Sequence, residues 1–394
     1  MALTIAAWAI RLFAADPARA QEPPPRPLPA VADEHPDGVS SVAGLAELPD
    51  GRVLVSDARE GMLRLFSFDD ASLREVASHG RGPREYLSAG GLYRQRNGEV
   101  WLLDALQRRY LVLSSRGDAR RTLPFAAPPT LGVSMRAGGD PHRVDGRGQE
   151  YERARPGARG APQDSAVLLR RRGARTDTVA WLRNPEMTTI NALGASITTL
   201  QRFSPSDGFA VAEDGSVAVV RADPYGVEWR EAAGRIQRGP VLATALLPVT
   251  AADRDSAELA SREAMQGAAL PRITETLPDG TTRDVDLRSL APSVPSATHK
   301  PAFDVRRVYV DRDGRLWVGR QMPHGAPTVY DVFDTAGVRI DRVQLAPGYR
   351  LVGFGVGRVY VARSDEDGLL FLGRVPYAPP AAPAATIPRA SEVP

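Results

Sequence analysis

One mark recurs six times along the chain: a glycine, usually behind Asp or Asn, followed at once by an alternating apolar strand. The copies are Asp50-Gly51-Arg52-Val53-Leu54-Val55, Asn97-Gly98-Glu99-Val100-Trp101-Leu102, a degraded Asp145-Gly146-Arg147-Gly148, Asp214-Gly215-Ser216-Val217, Asp313-Gly314-Arg315-Leu316-Trp317 and Gly357-Arg358-Val359-Tyr360. Asp-Gly and Asn-Gly suit type I′ hairpins, whose two central residues both need positive φ. A short apolar strand precedes each mark, as at 42–48, 209–212 and 305–310. Further strands follow it, as at 63–68 and 73–77, or 329–333 and 339–345.

Taking Gly148 for the third copy, the glycines are spaced by 47, 50, 67, 99 and 43 residues. Four short antiparallel strands repeating every ~40–50 residues are the pattern of propeller blades. Six marks predict an all-β, six-bladed β-propeller over residues 38–376, the two long intervals each being a repeat plus an insertion. Blade six has candidate strands only at 350–354, 357–363 and 369–375 before a Pro/Ala-rich tail at 377–394. Its outer strand is therefore expected from the Pro-rich stretch at 21–37, near residues 28–33, because closing the ring removes exposed edges.

Two segments carry a family likeness: Gly80-Arg81-Gly82-Pro83-Arg84-Glu85-Tyr86 and Val308-Tyr309-Val310-Asp311-Arg312-Asp313-Gly314-Arg315-Leu316-Trp317-Val318. With them the chain resembles the six-bladed propellers of the NHL-repeat type, in particular a large bacterial secreted group. The resemblance implies the fold and no particular activity, since propellers host unrelated functions. Arg84 stands where that group usually has a glycine. Gly80 and Gly82 would permit a tight crossover with Tyr86 packed between blades, while Arg84 and Glu85 are candidates for ligand contact there.

Strand order gives the two rims different roles. The Asp-Gly turns all lie on one face and are short. The long irregular segments at 123–140, 152–164, 182–207 and 246–300 all fall on connections at the other face, which is the candidate working face. The 246–300 segment, between blades four and five, reads as a lid-like insertion or a subunit contact. Thr250 and Asp253 form a capping box opening a helix with Ala257, Leu259, Ala260 and Met265 on an apolar side, and a hairpin follows around Pro278-Asp279-Gly280.

Polar residues ending the second strands point to the same face: Asp57, Asp104, Asp223, Arg320 and Asp365, with His324 in the next loop and His299 closing the insertion. The aspartates either hold a divalent cation such as Ca²⁺ through oxygen ligands, or each caps its own turn. Arg320, His324 and His299 are the accompanying ligand-binding candidates. His79 and His142 read as surface or packing residues at blade junctions.

Known catalytic signatures are missing. The sequence has no G-x-S-x-G, H-E-x-x-H, P-loop or strand-borne G-x-G-x-x-G. Calcium-dependent six-bladed lactonases would want an inner-strand Asn, but Asn97, Asn184 and Asn191 sit in one turn and one loop. Cysteine is absent, which excludes disulfides and thiolate chemistry. The 50 basic residues (a single lysine, Lys300) are interspersed with 47 acidic ones, so nucleic acid is not an expected partner.

Residues 2–10 are apolar and Ala18-Arg19-Ala20 fits a small-residue cleavage site, so 1–20 read as a signal peptide and the protein as secreted or periplasmic. No other apolar run approaches bilayer length, and stable membrane insertion of the mature chain is not expected. The sequence thus points to a binding module without cofactor, for a peptide, glycan or protein. A divalent-metal-dependent hydrolase at the channel mouth is the alternative.

Overall fold

The computed structural model describes residues 22–125, 142–154, 164–192, 195–266, 273–276, 279–285 and 294–380. The expected signal peptide at 1–20 and most of the tail lie outside them. Six antiparallel sheets succeed one another along the chain. Blade one is Gly44–Glu47, Val53–Asp57, Met62–Ser67 and Ser72–Glu75; blade two is Leu92–Arg94, Val100–Asp104, Arg109–Leu113 and Ala119–Pro124. Blade three is His142–Val144, Glu150–Arg153, Ser165–Arg172 and Arg175–Arg183; blade four is Gly208–Val211, Val217–Ala222, Tyr225–Arg230 and Ile236–Arg238. Blade five comprises Phe303–Val310, Leu316–Arg320, Val329–Phe333 and Arg339–Gln344, and blade six Tyr349–Gly355, Arg358–Ser364 and Leu370–Pro376. The protein is a six-bladed β-propeller.

The alternation legible in the strands becomes packing between blades. One buried apolar cluster lies at each of the six blade interfaces, for example Leu54, Leu63, Leu102 and Leu111 between blades one and two. Trp317, Tyr330, Leu351 and Val361 join blades five and six, and Val53, Phe66, Tyr360 and Leu372 close six against one. The core is thus a circle of six apolar seams, each formed by one face of two neighbouring sheets.

Closure uses the region expected but not the residues expected. The outer strand of blade six is Asp33–Val39, antiparallel to Leu370–Pro376. Residues 28–32 are displaced from that role, Pro29 among them lacking the N–H a ladder needs. Pro36 is accommodated in a bulge, the register slipping between Glu34 and Gly38. Upstream, Arg26–Pro27 adds a short parallel fifth strand to blade five, beside Arg339–Gln344.

The insertion holds the helix Ala251–Gln266 and a hairpin of Ile273–Thr276 with Thr282–Val285. A second hairpin, Met187–Ala192 with Ala195–Leu200, stands unexpected in the connection between blades three and four. The capping box is present: the Asp253 N–H donates to Thr250 Oγ1 at 3.3 Å, and the Thr250 N–H donates to Asp253 Oδ2 at 2.9 Å. On the expected apolar side Leu259 is 59% exposed, and the side chain of Met265 lies outside the described residues. Polar contacts at its first turn anchor this helix instead. No helix among the described residues is long and apolar enough to cross a membrane.

Candidate ligand-binding site

The second-strand aspartates do not gather around the axis. Asp57, wholly buried, accepts from the Ser40 N–H at 2.7 Å, Ser41 Oγ at 2.7 Å and the Arg59 N–H at 3.0 Å. Asp104, equally buried, accepts from the Leu87 and Ser88 N–H groups at 3.2 and 3.1 Å, and from Gln107 Nε2 at 2.7 Å. Each clamps the end of its blade's second strand to the segment leading into the first.

Blade four reverses the polarity of the clamp. There Asp207, before the first strand, accepts from the Ala222 N–H at 3.0 Å, and Asp223 is exposed beside Arg183 at 3.6 Å. In blade five Arg320 Nε donates to Ala302 O at 2.9 Å. Asp365 caps a local turn through the Asp367 and Leu369 N–H groups. Among the described residues, no group of three or more His, Asp or Glu is arranged to hold a metal ion.

Asp104→Ala removes the acceptor of several partly buried donors. It should destabilise the protein by about 2–4 kcal/mol in urea titration, with Asp104→Asn losing less. A change within about 0.5 kcal/mol would contradict the clamp.

The blade-one to blade-two junction is built for packing. Glu85 Oε2 accepts from the Gly82 N–H at 2.6 Å and lies so close to Gly80 that a Cβ there would overlap it. Arg109 donates to the Gly82 and Glu85 carbonyls at 2.9 Å. Tyr86 is buried, its hydroxyl accepts from the Leu63 N–H at 2.6 Å, and burial pushes that phenol up to about 12. Arg84 is exposed. His299 meets Thr298 Oγ1 at 3.0 Å, and His324 lies 4.0 Å from Asp253. Arg320 is buried between blades four and five, against Asp331 and the Tyr225 ring.

What the structure does bring together is a set of arginines on the inner strands. Opposite the single residue Gly319, the inner strand of blade five carries four residues, 304–307. A Cβ at Gly319 would stand 2.5 Å from the Arg307 Cβ, so glycine is required behind this bulge. The bulge carries Arg306 and Arg307, whose side chains stay 60% and 42% exposed. Asp304, buried beneath them, receives Arg306 at 3.1 Å and lies 3.6 Å from Arg307.

Tyr309 shows what surrounds the bulge. Burial raises its phenol pKa, while Arg143 of blade three, Arg307 and Arg350 of blade six pull it back. Charges on blades three and six therefore act on this blade-five phenol. Burial lowers Arg350, and the neighbouring Arg307 and Arg59 lower it further. Arg306 and Arg307 thus bracket Asp304, and the charges of Arg143 and Arg350 act on Tyr309, in the same inner strand.

On the opposite face, backbone bonds and ion pairs link four blades. The Arg96 N–H donates to Gly146 O at 2.9 Å and the Gly146 N–H to Glu213 O at 3.0 Å. The Glu213 carboxylate lies 3.2 Å from Arg94 and 3.9 Å from Arg312. Four blades meet in this network on the Asp-Gly face.

No family model matches the chain, and no curated protein does. Solved structures with similar chain traces include a member of the DUF4221 family from Bacteroides vulgatus (9% identity, TM-score 0.45, covering 88% of this chain and 94% of that one). A gluconolactonase from Xanthomonas campestris (12%, TM-score 0.39, 90% and 96%) is another. A third is the calcium-binding protein regucalcin from Agrobacterium tumefaciens (12%, TM-score 0.38, 88% and 95%). At such identities the likeness is one of fold, and the site has to be read from its own residues.

Proposed function

We propose that the protein is an exported binding module whose channel, on the loop-bearing face, takes a ligand carrying carboxylate or phosphate groups. The observation that supports this is the inner-strand bulge: two partly exposed arginines, Arg306 and Arg307, beside Asp304, with Arg143 and Arg350 acting on Tyr309 of the same strand. Guanidiniums suit such ligands because their paired N–H groups match two oxygens at once. The helix Ala251–Gln266 of the insertion serves as the cover. The rival metal-dependent hydrolase would need Asp57 and Asp104 to release the N–H donors that saturate them.

Isothermal titration with citrate and with inorganic tripolyphosphate tests this reading. Arg307→Ala/Arg350→Ala should weaken binding at least about tenfold, and affinity should fall as salt rises. Equal binding by both proteins would overturn it. Calcium that raises the melting temperature, with EDTA reversing the effect, would favour the hydrolase.

A further inference from the structure

The segment Glu22–Pro27 crosses the outer edge of blade five with little backbone to hold it. Pro23, Pro24 and Pro25 have no N–H to donate. Its ladder is two residues long, Arg26 opposite Val343 and Pro27 opposite Gln344, with the Leu28 N–H donating to Gln344 O at 2.9 Å. Charged side chains hold the two ends. Arg26 Nη2 reaches Asp341 at 2.6 Å. At the other end the Glu22 carboxylate lies 3.0 Å from Arg320, 3.0 Å from Arg342 and 3.7 Å from Arg339.

Below Glu22 is Asp331, wholly buried. It accepts from Arg320 at 2.9 Å, Arg342 at 3.1 Å and the Tyr225 hydroxyl at 3.0 Å, with Arg339 at 3.6 Å. The three arginine side chains are 7%, 14% and 11% exposed for Arg320, Arg339 and Arg342. Three guanidiniums against Asp331 alone leave two uncompensated positive charges in a largely desolvated place, and Glu22 offsets one. Such a cluster demands an anion. Yet the anion present hangs on a proline strap and keeps 27% of its side chain open to water.

The geometry points to a second anion site at the blade four–five edge, separate from the channel, in which Glu22 is a resident and exchangeable carboxylate. An oxyanion that enters between Arg320, Arg339 and Arg342 takes the place of Glu22 and frees the strap from Arg339–Gln344. The site shares no residue with the inner-strand arginines, so it stands or falls independently of the channel.

The test uses the full-length Glu22→Gln protein, which keeps the shape but loses the charge and one acceptor oxygen. In chloride it should melt below the parent protein. Millimolar sulfate or acetate at matched ionic strength should restore most of the loss, while the parent melts unchanged. Titration calorimetry should show sulfate binding at least about tenfold tighter in E22Q than in the parent, and E22Q/R342A should lose that gain. Equal stabilisation of both proteins by sulfate would reveal only a general salting effect and overturn the site. So would an E22Q protein that neither anion rescues.

Discussion

Lys300→Met destabilises the protein by about 3–5 kcal/mol, the cost of removing one partner from a buried ion pair. Lys300, the one lysine, is 4% exposed; its Nζ lies 2.6 Å from Asp253 Oδ1 and donates to Met322 O at 2.7 Å. Burial pushes the Asp253 carboxyl up, but bonds from Lys300 and Thr250 outweigh it and hold the group at about 2. A carboxyl depressed in this way contributes stability that is complete above its ordinary value near 3.9 and lost as pH falls towards 2. His324, the other titratable group facing Asp253, lies 4.0 Å away and can add attraction only when protonated. The difference between parent and variant, followed by urea titration, should therefore be full at pH 7 and shrink below pH 4. A difference that persists at pH 2.5 would mean that Lys300 acts by packing. Hydrogen exchange should also rise first in Ala251–Gln266, because the pair holds the start of that helix.

Deleting residues 33–39 costs more, on the order of 5 kcal/mol or above, and should leave an aggregation-prone chain. The deletion bares the edge strand Leu370–Pro376 and removes Val39 and His35, both essentially buried. It also breaks the Glu34–Arg363 ion pair at 2.6 Å. Differential scanning calorimetry and light scattering check this. A soluble variant melting within a few degrees of the parent would contradict ring closure as the source of stability.

The fold was legible because its signal is local and repeated. Asp-Gly turns followed by Val53–Asp57, Val100–Asp104 or Leu316–Arg320 state both the turn and the buried face within a few residues. The capping box at Thr250 and Asp253 was legible for the same reason. Closure was legible only in outline: counting strands shows that one is missing, but whether 28–33 or 33–39 supplies it depends on where a proline can bulge out of the ladder.

The site was largely hidden. Asp57 and Asp104 were recognisable as strand ends, and the reading of them as caps describes their contacts. Arg306 and Arg307 looked like ordinary strand residues, because nothing in the sequence announces four residues opposite one. Gly319 was the available signal, a glycine inside an apolar strand. Arg143 and Arg350 become neighbours of Tyr309 only once the circle is closed. The Glu22 cluster joins residues about 300 positions apart, a distance over which periodicity says nothing.

The pairing of Asp33–Val39 with Leu370–Pro376 also sets a timetable for synthesis. Glu34 leaves the ribosome 329 residues before its partner Arg363, so the seam stays open until the sixth blade has been made. Five blades can stack as they emerge, yet the final stitch waits for the sixth. The polymer entropy of so long a loop grows only logarithmically, and most of it is spent by blades already folded. Truncated products, by contrast, would carry an unmatched first segment and a gaping ring, which quality-control proteases can recognise.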